Sequence, residues 1–168
     1  MGENTLQRTH PLQAWEEAFA RLPEGLQITV EPYLAMAVSR GDHDTEVNTW
    51  RETDDGQVVW LGPDELLVTS TVRSGEQLEA DLPGTDVSAQ RISLRLSGSH
   101  ARELLTTGTS HDLHPSVFGA GRSVQTTIAM TGVVLISLRD NDYRILVRSS
   151  FAGYLAGWLL DAALEFTP

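Results

Sequence analysis

The chain has 168 residues, of which 40% are hydrophobic, and this fits one compact globular domain. It contains no cysteine, and all twelve basic side chains are arginine, which excludes disulfides, thiolate zinc sites, cysteine nucleophiles and every reaction that needs a lysine. The formal net charge of -11 opposes binding to a phosphate backbone, so we do not predict nucleic-acid binding.

The first half of the chain alternates short helices and strands. Residues 1–9 show no periodicity and are predicted to form a loose tail, and a helix is predicted over residues 11–22 because Leu12, Trp15, Phe19 and Leu22 share one stripe. Alternating or apolar runs predict strands over residues 26–30, 34–38, 57–61 and 65–70, the last two joined as a hairpin. A helix over residues 74–82 follows, with Ser74 as its N-cap.

The second half opens on the clearest period-2 strand of the chain. In residues 91–96 apolar side chains alternate with Arg91, Ser93 and Arg95, and Ser99 is predicted to cap a two-turn helix that ends before Gly108. Further strands are predicted over residues 124–130, 133–139 and 143–148, the last two as a hairpin, and a final helix over residues 151–166, capped by Ser149 and Ser150. We interpret Arg91, Arg95 and Arg102 as exposed residues or partners of the surplus carboxylates.

The final helix is apolar over more than one stripe. Core-type residues repeat at three- and four-residue spacing, and Tyr154 lies beside that stripe. A face this wide has two explanations, which are a core wholly within the chain or an additional contact with another protein. We predict a partner interface that includes Tyr154, Trp158 and Leu159.

Several short motifs resemble catalytic or ligand sites only in their letters. Ser110, His111 and Asp112 are consecutive, so they are not expected to form a nucleophile-base-acid relay. We interpret Asp64 and Glu65 as turn residues, and residues 119–123 as a turn rather than a phosphate loop, because no strand-to-helix context surrounds them. His43 lies in a charged turn without further ligands close in sequence. No catalytic, cofactor-binding or metal site is predicted on this chain.

The order of five motifs resembles the gamma subunit of heterotetrameric sarcosine oxidase. These motifs are W-L-G-P-D-E-L-L at residues 60–67, D-V-S at 86–88, G-x-x-A-x-x-L-L at 98–105, D-L-H-P at 112–115 and R-S-S-F-A-G-Y-L at 148–155. The resemblance covers residues 57–166 well. The fold of that gamma subunit is similar to part of the folate-binding domain of the glycine-cleavage T-protein. We therefore expect an α+β fold, in which an antiparallel sheet with hairpins carries two to three helices on one face.

The resemblance also implies a function and a set of partners. It implies a small accessory subunit, not catalytic by itself, of an enzyme that demethylates sarcosine to glycine and produces hydrogen peroxide and 5,10-methylenetetrahydrofolate. FAD, FMN, NAD and tetrahydrofolate are expected in partner subunits and none on this chain. The expected partners are the alpha, beta and delta subunits, in a cytoplasmic assembly, with no nucleic acid and no membrane. The longest apolar runs, 133–138 and 152–160, are too short or too interrupted to span a bilayer.

Two alternatives remain open at this point. A free-standing folate-binding protein of the T-protein type is one, but T-proteins carry acidic residues in the strand where this chain has Leu135 and Ile136, and asparagine where Arg148 stands. An unrelated interaction module is the other. The resemblance implies one gamma-subunit-like domain over residues 10–168, with residues 10–84 and 85–168 as candidate subdomains.

Overall fold

The computed structural model describes residues 10–167, so the predicted tail over residues 1–9 lies outside the described residues. Ten strands form two five-stranded antiparallel sheets. The first sheet has the order β1-β7-β10-β9-β8, and the second the order β3-β4-β5-β2-β6. The strands are β1 Gln27–Val30, β2 Ala35–Arg40, β3 Trp50–Thr53, β4 Gly56–Gly62, β5 Glu65–Ser70, β6 Gly84–Asp86, β7 Arg91–Ser97, β8 Ser123–Ile128, β9 Thr131–Arg139 and β10 Asp142–Arg148. The α-helices are α1 Glu16–Phe19, α2 Gly75–Asp81, α3 Ala101–Thr106 and α4 Ala152–Ala163.

The elements stack in four layers. Helices α1, α3 and α4 cover one face of the first sheet, whose other face packs against the second sheet, and α2 covers the far side of the second sheet. Alternation along the strands produces this arrangement, since neighbouring side chains point to opposite faces. In β9, for example, Leu135 lies in the core under the helices while Ile136 lies in the core between the sheets. The predicted α+β class, with antiparallel sheet, hairpins and helices on one face, is confirmed.

The layer between the two sheets has an apolar half and a polar half. Its apolar part is formed by residues of both sheets, namely Met36, Val59, Leu61, Leu67, Val87, Val134, Ile136 and Leu146. Its polar part holds the buried or half-buried side chains of Ser93, Arg95 and Arg144 from the first sheet. A polar half inside a sheet-sheet interface requires internal partners, because unpaired polar groups are costly when buried.

Some predicted boundaries differ from the structure for local reasons. The first helix is a 3-10 turn, Gln13–Trp15, followed by the single turn of α1. Ser74 caps α2 as predicted, and Gln77 completes a capping box that was not predicted. The caps predicted at Ser99 for α3 and at Ser149 and Ser150 for α4 are wrong, because both helices begin without a side-chain cap. Strands β3 and β6 were not predicted, because they are short edge strands with mostly polar residues.

The sheets do not divide at residue 84. Strand β1 pairs with β7 of the second half, and β6, Gly84–Asp86, pairs with β2 of the first half. Each sheet therefore draws strands from both sides of the candidate boundary. One domain over residues 10–168 stays a prediction. Within residues 10–167, no helix is both long and apolar enough to cross a membrane.

Candidate functional site

The predicted interface residues of α4 differ in their accessibility. Leu159 is fully buried in the chain's own core, so its inclusion in a partner interface is corrected by the structure. Trp158 is half-buried against that core, and its ring lies where a β-carbon on Gly108 would collide with it. Tyr154 is 45% exposed. The Leu159 side chain points into the core because it lies on the same face of α4 as the buried Leu155 and Ala163.

Tyr154 belongs to an exposed apolar surface that includes a turn of the first sheet. The Tyr154 hydroxyl oxygen accepts a hydrogen bond from the Met130 N–H at 3.3 Å, and Met130 is 85% exposed in the turn between β8 and β9. Phe151, 47% exposed, precedes Tyr154 by three residues, a spacing at which side chains at a helix surface are neighbours. We call Met130, Phe151 and Tyr154 the Tyr154 patch. Exposed apolar groups that adjoin one another are typical of contact surfaces.

The histidine motifs are engaged in local contacts. The Asp112 carboxylate accepts the N–H of His114 at 2.8 Å, which closes a local turn. The His114 ring nitrogen Nδ1 lies 2.7 Å from the Ser116 hydroxyl, and the His111 ring packs edge-on against Phe118. Within residues 10–167 no three His, Asp or Glu side chains come together in an arrangement that could hold a metal ion.

A charged network joins the two sheets in the polar half of their interface. The Arg144 guanidinium donates to both Glu31 carboxylate oxygens, at 2.6 and 2.7 Å, and to the Gln57 side-chain oxygen at 2.6 Å. The Ser93 hydroxyl donates to the same carboxylate. Arg95 is held in the same way by two bonds to Asp142, at 2.8 and 2.6 Å. Both arginines therefore have a fork-shaped pairing with a carboxylate, as buried charges require.

Two other arginines facing the same layer have no such partner. Arg91 and Arg148 lie directly opposite each other at the end of the β7-β10 pair. They point towards the second sheet, where they line a cleft of about 640 Å³ together with Arg40, Glu65 and Gln125. A second cavity of about 390 Å³ adjoins it and shares Arg91, Gln125 and Arg148. We call the side chains of these five residues the arginine cleft.

The electrostatics of the arginine cleft are unbalanced. Atom Nη1 of Arg91 is buried without a hydrogen-bond partner, and none of the described carboxylates forms an ion pair with Arg91 or Arg148. Burial lowers the pKa of Arg91, the positive charge of Arg148 lowers it further, and Glu65 opposes this effect. The Glu65 carboxylate accepts a hydrogen bond from Arg40 at 3.3 Å. Glu65 is the one carboxylate among the residues that line the 640 Å³ cleft, and its ion pair is with Arg40.

The sequence provided only part of this site. Arg91 was interpreted as an exposed or paired residue, but the structure half-buries it and leaves its Nη1 atom without a partner among residues 10–167. Arg148 was noted only as a departure from the T-protein pattern. A signal was available, because Arg91 and Arg95 of one strand and Arg144 and Arg148 of another occupy inward alternating positions.

Comparison with known proteins finds curated relatives of similar identity, among them two gamma subunits of sarcosine oxidase. The chain is 39% identical over 118 residues to sarcosine oxidase subunit gamma of Corynebacterium sp. (strain P-1), and the alignment covers 65% of this chain and 57% of that protein. It is 39% identical over 116 residues to sarcosine oxidase subunit gamma of Arthrobacter sp, with coverages of 65% and 57%. The chain thus spans somewhat more than half the length of the curated relatives it matches.

Solved structures share the fold over nearly the whole chain. A chain of heterotetrameric sarcosine oxidase from Corynebacterium sp. U-96, in complex with pyrrole 2-carboxylate, is 27% identical with a TM-score of 0.86, covering 96% of this chain and 97% of that chain. Glycine cleavage system aminomethyltransferase T from Bartonella henselae is 13% identical with a TM-score of 0.60, covering 90% and 50%, and this likeness concerns the fold alone. The model of the sarcosine oxidase, gamma subunit family matches residues 13–165, and the chain therefore belongs to that family.

Proposed function

We propose that the chain is the small accessory subunit of a heterotetrameric sarcosine oxidase and contributes structure rather than catalysis to it. The observation that carries this proposal is the match to a chain of such an oxidase, which extends over 96% of this chain and 97% of that one. The assembly is expected in the cytoplasm, with alpha, beta and delta subunits as partners.

The reaction belongs to the partner subunits in this proposal. The complex would demethylate sarcosine to glycine, with hydrogen peroxide and 5,10-methylenetetrahydrofolate as the other products, and FAD, FMN, NAD and tetrahydrofolate would bind to the other subunits. The composition of this chain supports a non-catalytic role, because it has neither a thiol nor a primary-amine side chain. The histidine and carboxylate motifs that resemble active sites are occupied by turn and packing contacts.

The Tyr154 patch is the proposed contact with a partner subunit. It combines an exposed aromatic ring of α4 with the exposed side chain of Met130, and aromatic residues and methionine are enriched at protein interfaces. The Met130 N–H bond to the Tyr154 hydroxyl fixes the ring before any partner arrives. A fixed ring loses less conformational freedom on binding, which favours affinity.

Co-expression tests the proposal. The tagged full chain should pull down alpha and beta subunits of a sarcosine oxidase from the same source, and omission of this chain should lower the yield of the assembled complex without changing the flavin chemistry of what does assemble. A tagged protein of similar size and charge serves as the control. Recovery of a stable monomer, with complex yield unaffected by its omission, would contradict the accessory-subunit proposal.

The folate-binding alternative has less support from the contacts. Leu135 and Ile136, where T-proteins carry acidic residues, are both fully buried in apolar cores, so this strand presents no carboxylate to a folate ring. Calorimetric titration of the full chain with tetrahydrofolate decides the question. We expect no saturable heat, and a saturable one would favour the alternative.

A further inference from the structure

We propose that the arginine cleft binds a small organic anion, whose carboxylate or phosphate group is held between Arg91 and Arg148. This site lies between the two sheets, on the opposite side of the first sheet from the helices, and it is independent of the proposed subunit role. Three observations support it, namely the unpaired buried nitrogen of Arg91, the opposed positions of the two arginines, and the volume enclosed beside them.

The first argument is charge. Like charges directly opposite each other on one face of a sheet destabilise it, and a buried positive charge without a partner is costlier than a paired one. Of the four arginines that point from β7 and β10 into the layer between the sheets, Arg95 and Arg144 each have a carboxylate. Arg91 and Arg148 form no ion pair with any described residue, although the chain carries a surplus of acidic side chains. An external anion would supply the missing charge.

The second argument is hydrogen-bonding geometry. A guanidinium presents its N–H groups in a rigid fork that matches the two oxygens of a carboxylate or phosphate. Nη1 of Arg91 has donors to offer, since it is buried and without a partner, while Arg148 is exposed and opposite it in register. The Glu65 side chain already accepts from Arg40, so the one acidic residue of the cleft is engaged at its rim.

The third argument is size and lining. A volume of about 640 Å³ lies in the range of about 300–1,000 Å³ that small-molecule pockets occupy. Val38 and Val87 line this cleft and Val134 lines the adjoining cavity, so apolar wall lies beside the arginines. This combination fits a small organic acid or phosphate ester better than a bare inorganic ion, because the apolar walls would contact its carbon skeleton.

Thermal unfolding of the full chain tests the site, with succinate and inorganic phosphate as separate probes that distinguish carboxylate from phosphate recognition. Sodium chloride at matched ionic strength is the reference for charge screening. Phosphate also stabilises proteins by exclusion from their surface, and saturation of the effect distinguishes binding from exclusion. We expect a saturable rise in Tm with at least one probe. Arg91→Gln and Arg148→Gln should each weaken the apparent affinity by about tenfold or more, as loss of a charge-assisted bond does. Arg51→Gln, at an exposed arginine outside both cavities, should leave it unchanged.

The variant at position 148 decides the outcome. Arg148 is exposed and makes no ion pair with the described residues, so its replacement should not impair folding even if Arg91→Gln does. The proposal is overturned if neither probe raises Tm in a saturable way above the chloride reference. It is also overturned if Arg148→Gln binds both probes as tightly as the unaltered chain. Because the readout uses the chain alone, failure to assemble with oxidase subunits has no bearing on this result.

Discussion

Replacing Glu31 by glutamine should lower the free energy of unfolding by about 3 kcal/mol, which is the low end for breaking a buried ion pair. The Arg144 guanidinium donates to both oxygens of Glu31, and glutamine keeps one acceptor while turning an amide NH₂ towards the guanidinium. The Ser93 hydroxyl also loses a charged acceptor. We take the low end because 18% of the Arg144 side chain and 13% of the Glu31 side chain remain exposed.

A double-mutant cycle with Arg144→Met separates the pair from other effects. That variant should also cost about 3 kcal/mol, because it leaves the Glu31 carboxylate without its main partner. Glu31→Gln combined with Arg144→Met removes both charges. The loss in free energy of unfolding should therefore be well below the sum of the losses in the two single variants, with a coupling energy of about 2–3 kcal/mol. Urea unfolding followed by far-UV circular dichroism measures these values, provided that the dependence on urea is unchanged.

The matched control is an exposed ion pair of the same chain. Arg21 and Glu17 pair one helical turn apart with side chains 75% and 80% exposed, so Glu17→Gln should cost less than about 0.5 kcal/mol. If Glu31→Gln costs no more than the control, or if the cycle with Arg144 is additive, then the Glu31–Arg144 ion pair does not stabilise the fold and the reasoning fails.

Three further predictions concern the last helix, an acidic loop and a glycine. Leu159→Ala should lower the free energy of unfolding in urea by about 3 kcal/mol, because it leaves a cavity in the core. Tyr154→Ala should change that free energy by less than about 1 kcal/mol and should reduce the pull-down of oxidase subunits. Equal pull-down would contradict the proposed contact at the Tyr154 patch. Hydrogen bonds from Arg73, and then from Ser70, lower the pKa of Asp55 in the folded chain. The stabilisation that Asp55 contributes is therefore present above its unfolded pKa and is lost as the pH falls through its folded pKa. Asp55→Asn should make Tm depend less on pH below about pH 4. Gly98→Ala should cost about 2 kcal/mol or more in urea unfolding, because φ is 117° and a β-carbon would collide with the Gly25 carbonyl oxygen; an unchanged midpoint would contradict this.

Local pattern predicted the elements that bury one regular face. The strands over β4, β5, β7, β9 and β10 and the last helix follow from period-2 and three- to four-residue spacing, since burial of a continuous face requires that spacing. The cap at Ser74 was predicted from sequence because the hydrogen bonds of a helix cap are local. Edge strands β3 and β6 were missed because few of their side chains are buried, so their sequences carry no alternation.

Composition by itself determined the absence of lysine and thiol chemistry, and the family resemblance carried by the sequence motifs implied the α+β class. Only the tertiary structure decided that two sheets face each other, that Leu159 points into the core, and that Arg144 has a carboxylate partner while Arg148 pairs with none of the described carboxylates. The physical reason is that a strand's sequence specifies which residues share a face but not what that face meets. Glu31, more than a hundred residues from Arg144, becomes its partner only when β1 and β10 pair on either side of β7.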